Sequence, residues 1–226
     1  MGSWEFVPTS TGWVAHLDAA ERAAVLDVVE DVVQLLGAGE PAGQWPHVQL
    51  SEAPLPAPSD PALRRLLPDA SRAAPEIAAE FRRLTEDELR GTKAGNLAVL
   101  RSVLQADTSA VRVEPAAAPA VAAALTDLRL VLAERLGVRS EADADAVYRL
   151  VVEGGPLDVS DPDGVTRRFL ATVSTLLGVL QESLVVLMLE GLPAGDDASG
   201  DAASGEGDDG HDDRGGGAGP GPGAPR

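Results

Sequence analysis

Cysteine is absent from the 226 residues. That excludes disulfides, thiolate nucleophiles and cysteine-based zinc sites together, and it fits a reducing compartment. Aromatics are scarce at 3%, so any core must be aliphatic. Lysine occurs once, at Lys93, and 18 basic residues face 36 acidic ones. The formal net charge of -18 opposes contact with nucleic-acid phosphates unless a local basic face overrides it. The opening run Met1-Gly2-Ser3-Trp4-Glu5-Phe6 has neither the basic n-region nor the apolar h-region of a signal peptide. The expectation is a soluble cytoplasmic protein with no membrane span.

Chemical motifs are missing as well. His16, His47 and His211 do not lie at metal-ligand spacing. There is no Gly-x-Ser-x-Gly elbow. Gly37, Gly39 and Gly43 lack the lysine and hydroxyl residue of a phosphate loop. The acidic run 208–213 lacks calcium-loop spacing, so solvated charge is the better reading. No catalytic residue, cofactor ligand or metal ligand is therefore assigned, and no cofactor is expected.

What is present reads as helix. Residues 4–7 and 13–17 form two short strands around the turn chemistry of Pro8-Thr9-Ser10-Thr11-Gly12. Trp4, Phe6 and Trp13 should pack this hairpin on the helices. Asp18 with Glu21 forms a capping box that opens a helix over 18–36, and Gly37 stops it. Five prolines over 37–59 prescribe an irregular loop, with Trp45 as its anchor. Short helices follow over 60–67 and 75–84. Thr85 with Glu88 has the pattern of a second capping box and predicts a separate helix over 86–104. Val111–Val113 is extended. Helices cover 116–136, 141–153 and 162–190. From Leu192 onward glycine, proline and eight acids against Arg214 and Arg226 predict a disordered tail.

Two of these helices are apolar on more than one side. Val121, Leu125, Leu128, Leu132 and Leu136 form a stripe at 100° per residue, and Leu130 points away from it. On the last helix Leu170, Val173, Leu177, Leu180, Leu184 and Leu187 form the stripe, with Val179, Glu182 and Val186 opposite. Such helices are sandwiched inside a bundle or half covered by a partner. The run 169–189 is long enough to span a membrane, but Gln181, Glu182 and Ser183 fall in its middle, where a carboxylate is costly. Glu182 among leucine and valine is expected either to pair, with Arg129 or Arg135, or to face water as a solvated carboxylate. A basic cluster remains in Arg82, Arg83, Arg90, Lys93 and Arg101. Two helices meeting near Thr85 have the outline of a helix-turn-helix, yet Glu86, Asp87 and Glu88 stand where a recognition helix would meet bases.

Four runs carry a family resemblance: DPALRRLLPDA (60–70), EFRRLTEDELRGTKAGNL (80–97), LTDLRLVLAERLGV (125–138) and LQESLVVLML (180–189). In order and spacing they resemble an actinobacterial family, the domain of unknown function 2017, over about residues 5–190. This chain departs from the family in the alanines at 122–124, in LLGV before Gln181, and in an expanded loop at 154–163. The resemblance implies a gene position beside the adaptor of the Clp protease that delivers N-degron substrates, and some members are labelled as transcriptional regulators. The family-typical polar positions are Arg82, Arg83, Arg90, Lys93, Asn96, Asp127, Arg129, Gln181 and Glu182.

These readings combine into one expectation. The fold is mainly α, a bundle of about six helices with a small N-terminal β-hairpin over 1–191 and an acidic tail over 192–226. The function is non-enzymatic protein interaction or regulation linked to Clp-dependent proteolysis, with a protein partner or a homodimer. Two alternatives stand beside it: a DNA-associated transcriptional regulator, and an enzyme built on Glu182, Arg129 and Asp127.

Overall fold

A computed structural model describes residues 4–37, 56–71, 73–106, 110–154 and 160–191. Residues 38–55 of the loop read over 37–59, its anchor Trp45 and the tail from 192 lie outside the described residues. The order is β1 (Val7–Thr9), β2 (Gly12–Ala15), α1 (Ala19–Leu35), α2 (Pro61–Leu66), α3 (Pro75–Ala106), β3 (Val111–Val113), α4 (Ala118–Leu136), α5 (Glu141–Val152) and α6 (Pro162–Glu190). The fold is mainly α, with six helices among the described residues.

The hairpin forms, but its first strand is displaced. β1 takes Pro8 and Thr9 from the expected turn and keeps only Val7 of the expected strand 4–7, while β2 begins at Gly12 and stops at Ala15. The hairpin is also part of a larger sheet. β3 adds antiparallel to β2, with Trp13 opposite Val113 and Ala15 opposite Val111. The third strand supplies the pairing that an isolated two-stranded ribbon needs. Gly12 has φ 141°, and a Cβ there would sit 2.4 Å from the Val113 carbonyl oxygen, so only glycine lets the strands close at this point.

The capping box at α1 forms as read. The Glu21 amide donates to Asp18 Oδ1 at 2.8 Å, and the Asp18 amide donates to Glu21 Oε2 at 2.8 Å. Trp4 Nε1 donates to the other oxygen of Glu21 at 2.8 Å, while Phe6 is buried in the core.

The predicted break at residue 85 does not exist. α3 runs unbroken for 32 residues. Thr85 turns its hydroxyl back to the Phe81 carbonyl at 2.9 Å instead of capping a new helix. No glycine or proline lies between Glu76 and Arg90, on either side of Thr85. Glu86 also lies one turn from both Arg82 and Arg90 and pairs with each, spanning the supposed joint. A helix-turn-helix reading of this region is thereby overturned.

α4 is the central element and packs on α2, α3 and α6. Leu125, Leu128 and Leu132 share one core cluster with Leu97, Leu100 and Leu104 of α3 and Leu176, Leu177, Leu180 and Leu184 of α6. Each fully buried leucine contributes roughly 1.5–3 kcal/mol. α1 and α3 also hold each other's carbonyl ends. Arg22 donates to Leu104 O at 2.7 Å and Arg90 donates to Leu36 O at 2.7 Å, placing positive charge at the negative ends of both dipoles.

Candidate functional site

α4 and α6 run antiparallel, and α5 covers only one end of the seam between them. Val147 of α5 packs with Leu136 and Ala171, forming a small satellite core. Beyond that contact the seam opens into a groove of about 530 Å³. Its walls are Thr126, Arg129, Leu130 and Ala133 of α4, Val147 and Tyr148 of α5, and Ser174, Gly178, Val179 and Glu182 of α6. The back-face residues Leu130 and Val179 thus face this opening, half-buried, rather than another helix. The volume is in the range of a binding cleft.

A polar chain crosses the groove. Arg129 Nη1 donates to Gln181 Oε1 at 2.6 Å, and Gln181 Nε2 donates to Thr126 Oγ1 at 2.6 Å. This corrects the expected pairing of Glu182 with Arg129 or Arg135, because Arg135 donates instead to Asp60 Oδ2 at 2.7 Å. That bond, with the Ala62 and Leu63 amides, holds the Asp60 carboxyl below its ordinary value. Helical spacing explains the miss: Gln181 and Glu182 are 100° apart on α6, and Gln181 is the one turned toward α4. Glu182 is exposed at the groove and not enclosed by aliphatic side chains.

The nine family-typical polar residues separate into distinct groups. Arg82 pairs with Asp69, and Glu86 bridges Arg82 to Arg90. Lys93 Nζ lies 2.6 Å from Asp127 Oδ1, joining α3 to α4 with Asp127 only 4% exposed. Arg83 pairs with Glu80 on the surface and holds the Glu80 carboxyl below its usual range. Asn96 is half-buried on α3. Only Arg129, Gln181 and Glu182 line the groove. Asp127 faces α3, so the trio of Glu182, Arg129 and Asp127 does not gather at one opening.

Sequence reading did not find Tyr148, Ser174 or Gly178 as groove residues. The four-residue recurrence of Ser174, Gly178 and Glu182 along one face of α6 carries that signal. Among the described residues, no three His, Asp or Glu side chains gather where a metal ion could be held. By length and composition α6 is the one helix among them able to cross a bilayer, and its stripe of Val173, Leu177, Leu180 and Leu184 is buried in the core.

The family described as Domain of unknown function (DUF2017) matches residues 1–188. The chain belongs to that family. No curated protein and no solved structure matches it.

Proposed function

We propose that this protein is a non-enzymatic interaction protein whose groove between α4, α5 and α6 receives an apolar helical segment of a protein partner. The observation that carries this reading is the uncovered half of the α4–α6 seam, where Leu130 and Val179 line an open cleft. A helix laid there would continue the cover that α5 begins, in the helix-in-groove mode. The exposed Glu182 carboxylate at the cleft selects a segment carrying a basic residue. The gene position that the family resemblance implies makes Clp-dependent proteolysis the first setting to test, with the Clp adaptor as the first partner to offer.

The DNA reading loses the feature that motivated it. Arg82, Arg83, Arg90, Lys93 and Arg101 each lie within 4.0 Å of a carboxylate. The trio that motivated the enzyme reading is not gathered at the cleft, since Asp127 is held by Lys93 of α3.

The test uses Gly178→Phe, which fills the cleft from its floor. A Cβ at Gly178 meets only the Arg129 guanidinium, at 4.0 Å, so the backbone accepts a side chain that starts into the cleft. Partners are crosslinked in the native host before lysis. A protein captured by the parent chain and lost with Gly178→Phe, with thermal stability retained, supports the reading. Capture that is unchanged by filling the cleft contradicts it.

A further inference from the structure

The first half of α3 is built inside out. Its inward side buries Arg82 and Glu86. Its outward side shows Ile77 at 64%, Phe81 at 48% and Leu84 at 65% exposure. These three fall at i, i+4 and i+7, a single apolar line. The line does not stop at Leu84. The same 4-3-4-3-4 spacing continues through Glu88, Gly91 and Gly95, all exposed. Neither glycine has any heavy atom within 4 Å of where a Cβ would stand. Glycine inside a helix is unfavourable, and among the described residues no close neighbour accounts for it at these two positions.

Large side chains on one half of a line and bare backbone on the other make that line self-complementary. Turned antiparallel about a two-fold axis near residue 86, it sets Ile77 opposite Gly95, Phe81 opposite Gly91 and Leu84 opposite Glu88 of a second copy. Glycines four apart admit close approach of another helix, and here the bulky residues fill the notch they leave. An interface used twice in this way is the isologous form most dimers take. We infer that the outer face of α3, from Ile77 to Gly95, is the contact by which two copies of this chain associate antiparallel.

This surface is separate from the cleft of α4, α5 and α6 and does not depend on the function proposed for it. A single helix pair is a small interface, at the low end of specific contacts, and the net charge of -18 opposes self-association. Asp87 and Glu88 also come near their symmetry mates at the axis. The dimer is accordingly weak, grows with protein concentration and tightens as salt screens the repulsion.

The cysteine-free chain allows a direct test. Ile77 and Gly95 are roughly 27 Å apart along one helix at 1.5 Å per residue, too far to bridge within a copy. The full-length Ile77→Cys plus Gly95→Cys variant is expected to form a covalent dimer on mild oxidation, while each single variant does not. Sedimentation of the unmodified chain is expected to show mass rising from monomer toward dimer with concentration and with salt. Gly91→Gln plus Gly95→Gln is expected to weaken that association by on the order of tenfold or more without lowering helix content. A chain that stays monomeric throughout, or a double-cysteine variant that bridges no better than the singles, overturns the inference and gives the stripe to a helix of some other protein.

Discussion

The two longest helices answer the problem of burial in opposite ways. α6 turns leucine inward and leaves Glu182 and Val186 outside. The first half of α3 turns arginine and glutamate inward and leaves isoleucine, phenylalanine and leucine outside. The difference separates two kinds of contact. Between α6 and α4, apolar area removed from water supplies stability. Between α3 and its neighbours, paired charges fix which residues meet, and their desolvation offsets much of their attraction. The apolar side chains that α3 leaves out are then available to something other than its own core.

The sharpest way to break this comparison is to truncate both kinds of leucine. Leu177→Ala, fully buried, is expected to destabilise by about 2–5 kcal/mol. Leu84→Ser, mostly exposed, is expected to stay within about 0.5 kcal/mol at concentrations where the chain is monomeric. Denaturant titration of both variants checks this. Equal losses would erase the distinction between the inner and outer faces.

The ionic contacts come next. Lys93→Met strands the buried Asp127 carboxylate and is expected to cost about 3 kcal/mol. Adding Asp127→Leu removes the stranded charge and should recover most of the loss. If the double variant is as unstable as the single one, the pair contributes more than register.

Acid should act on a third region, the corner where α2, α4 and α5 meet. Glu134 accepts from Arg139 at 2.5 Å and lies 2.6 Å from Arg65, and these guanidiniums, Arg139 first, hold its carboxyl below the usual value. Asp143 is lowered by the Arg139 amide and by Ser140, and Asp60 chiefly by Arg135. A lowered folded value means the contribution is complete above the unfolded carboxylate range. It is lost as pH falls through the folded values. Melting temperature is therefore expected to hold from neutral pH down to about 5 and then to drop below about 4. Replacing Glu134 by Gln should flatten that drop.

The smallest expected effect is a gain. Gly178→Phe replaces a mid-helix glycine whose Cβ position meets only the Arg129 guanidinium, at 4.0 Å, and should raise stability by about a few tenths of a kcal/mol.

Much of this architecture could be read from the residues. The Asp18–Glu21 box, the stop at Gly37, which has φ 71°, and the 100° leucine stripes each name a local cause, and each formed. Thr85 misled because a hydroxyl followed three residues later by glutamate occurs inside helices as well as at their starts. Only the pairing of Glu86 with both Arg82 and Arg90 decides between the two, and Asp69, which also meets Arg82, is remote from Glu86 in sequence. β3 joined the hairpin for the same reason: strand pairing is a long-range event that three residues cannot announce. At the groove, Leu130 and Val179 were visible as misplaced apolar residues. Their convergence was not, because it depends on how α4 and α6 pack. Sequence alone did not separate Gln181 from Glu182 as the partner of Arg129, a matter of 100° of helix rotation.

The central claim is that the open seam between α4 and α6 is a contact surface for another protein. A photo-activated crosslinking residue at Val179, introduced into the full chain in its native host, addresses it directly. The account predicts one dominant adduct whose crosslinked peptide is apolar with a basic residue, and its loss when Glu182 is reversed to Lys. Adducts scattered over many proteins, or an adduct indifferent to the charge at 182, would contradict it.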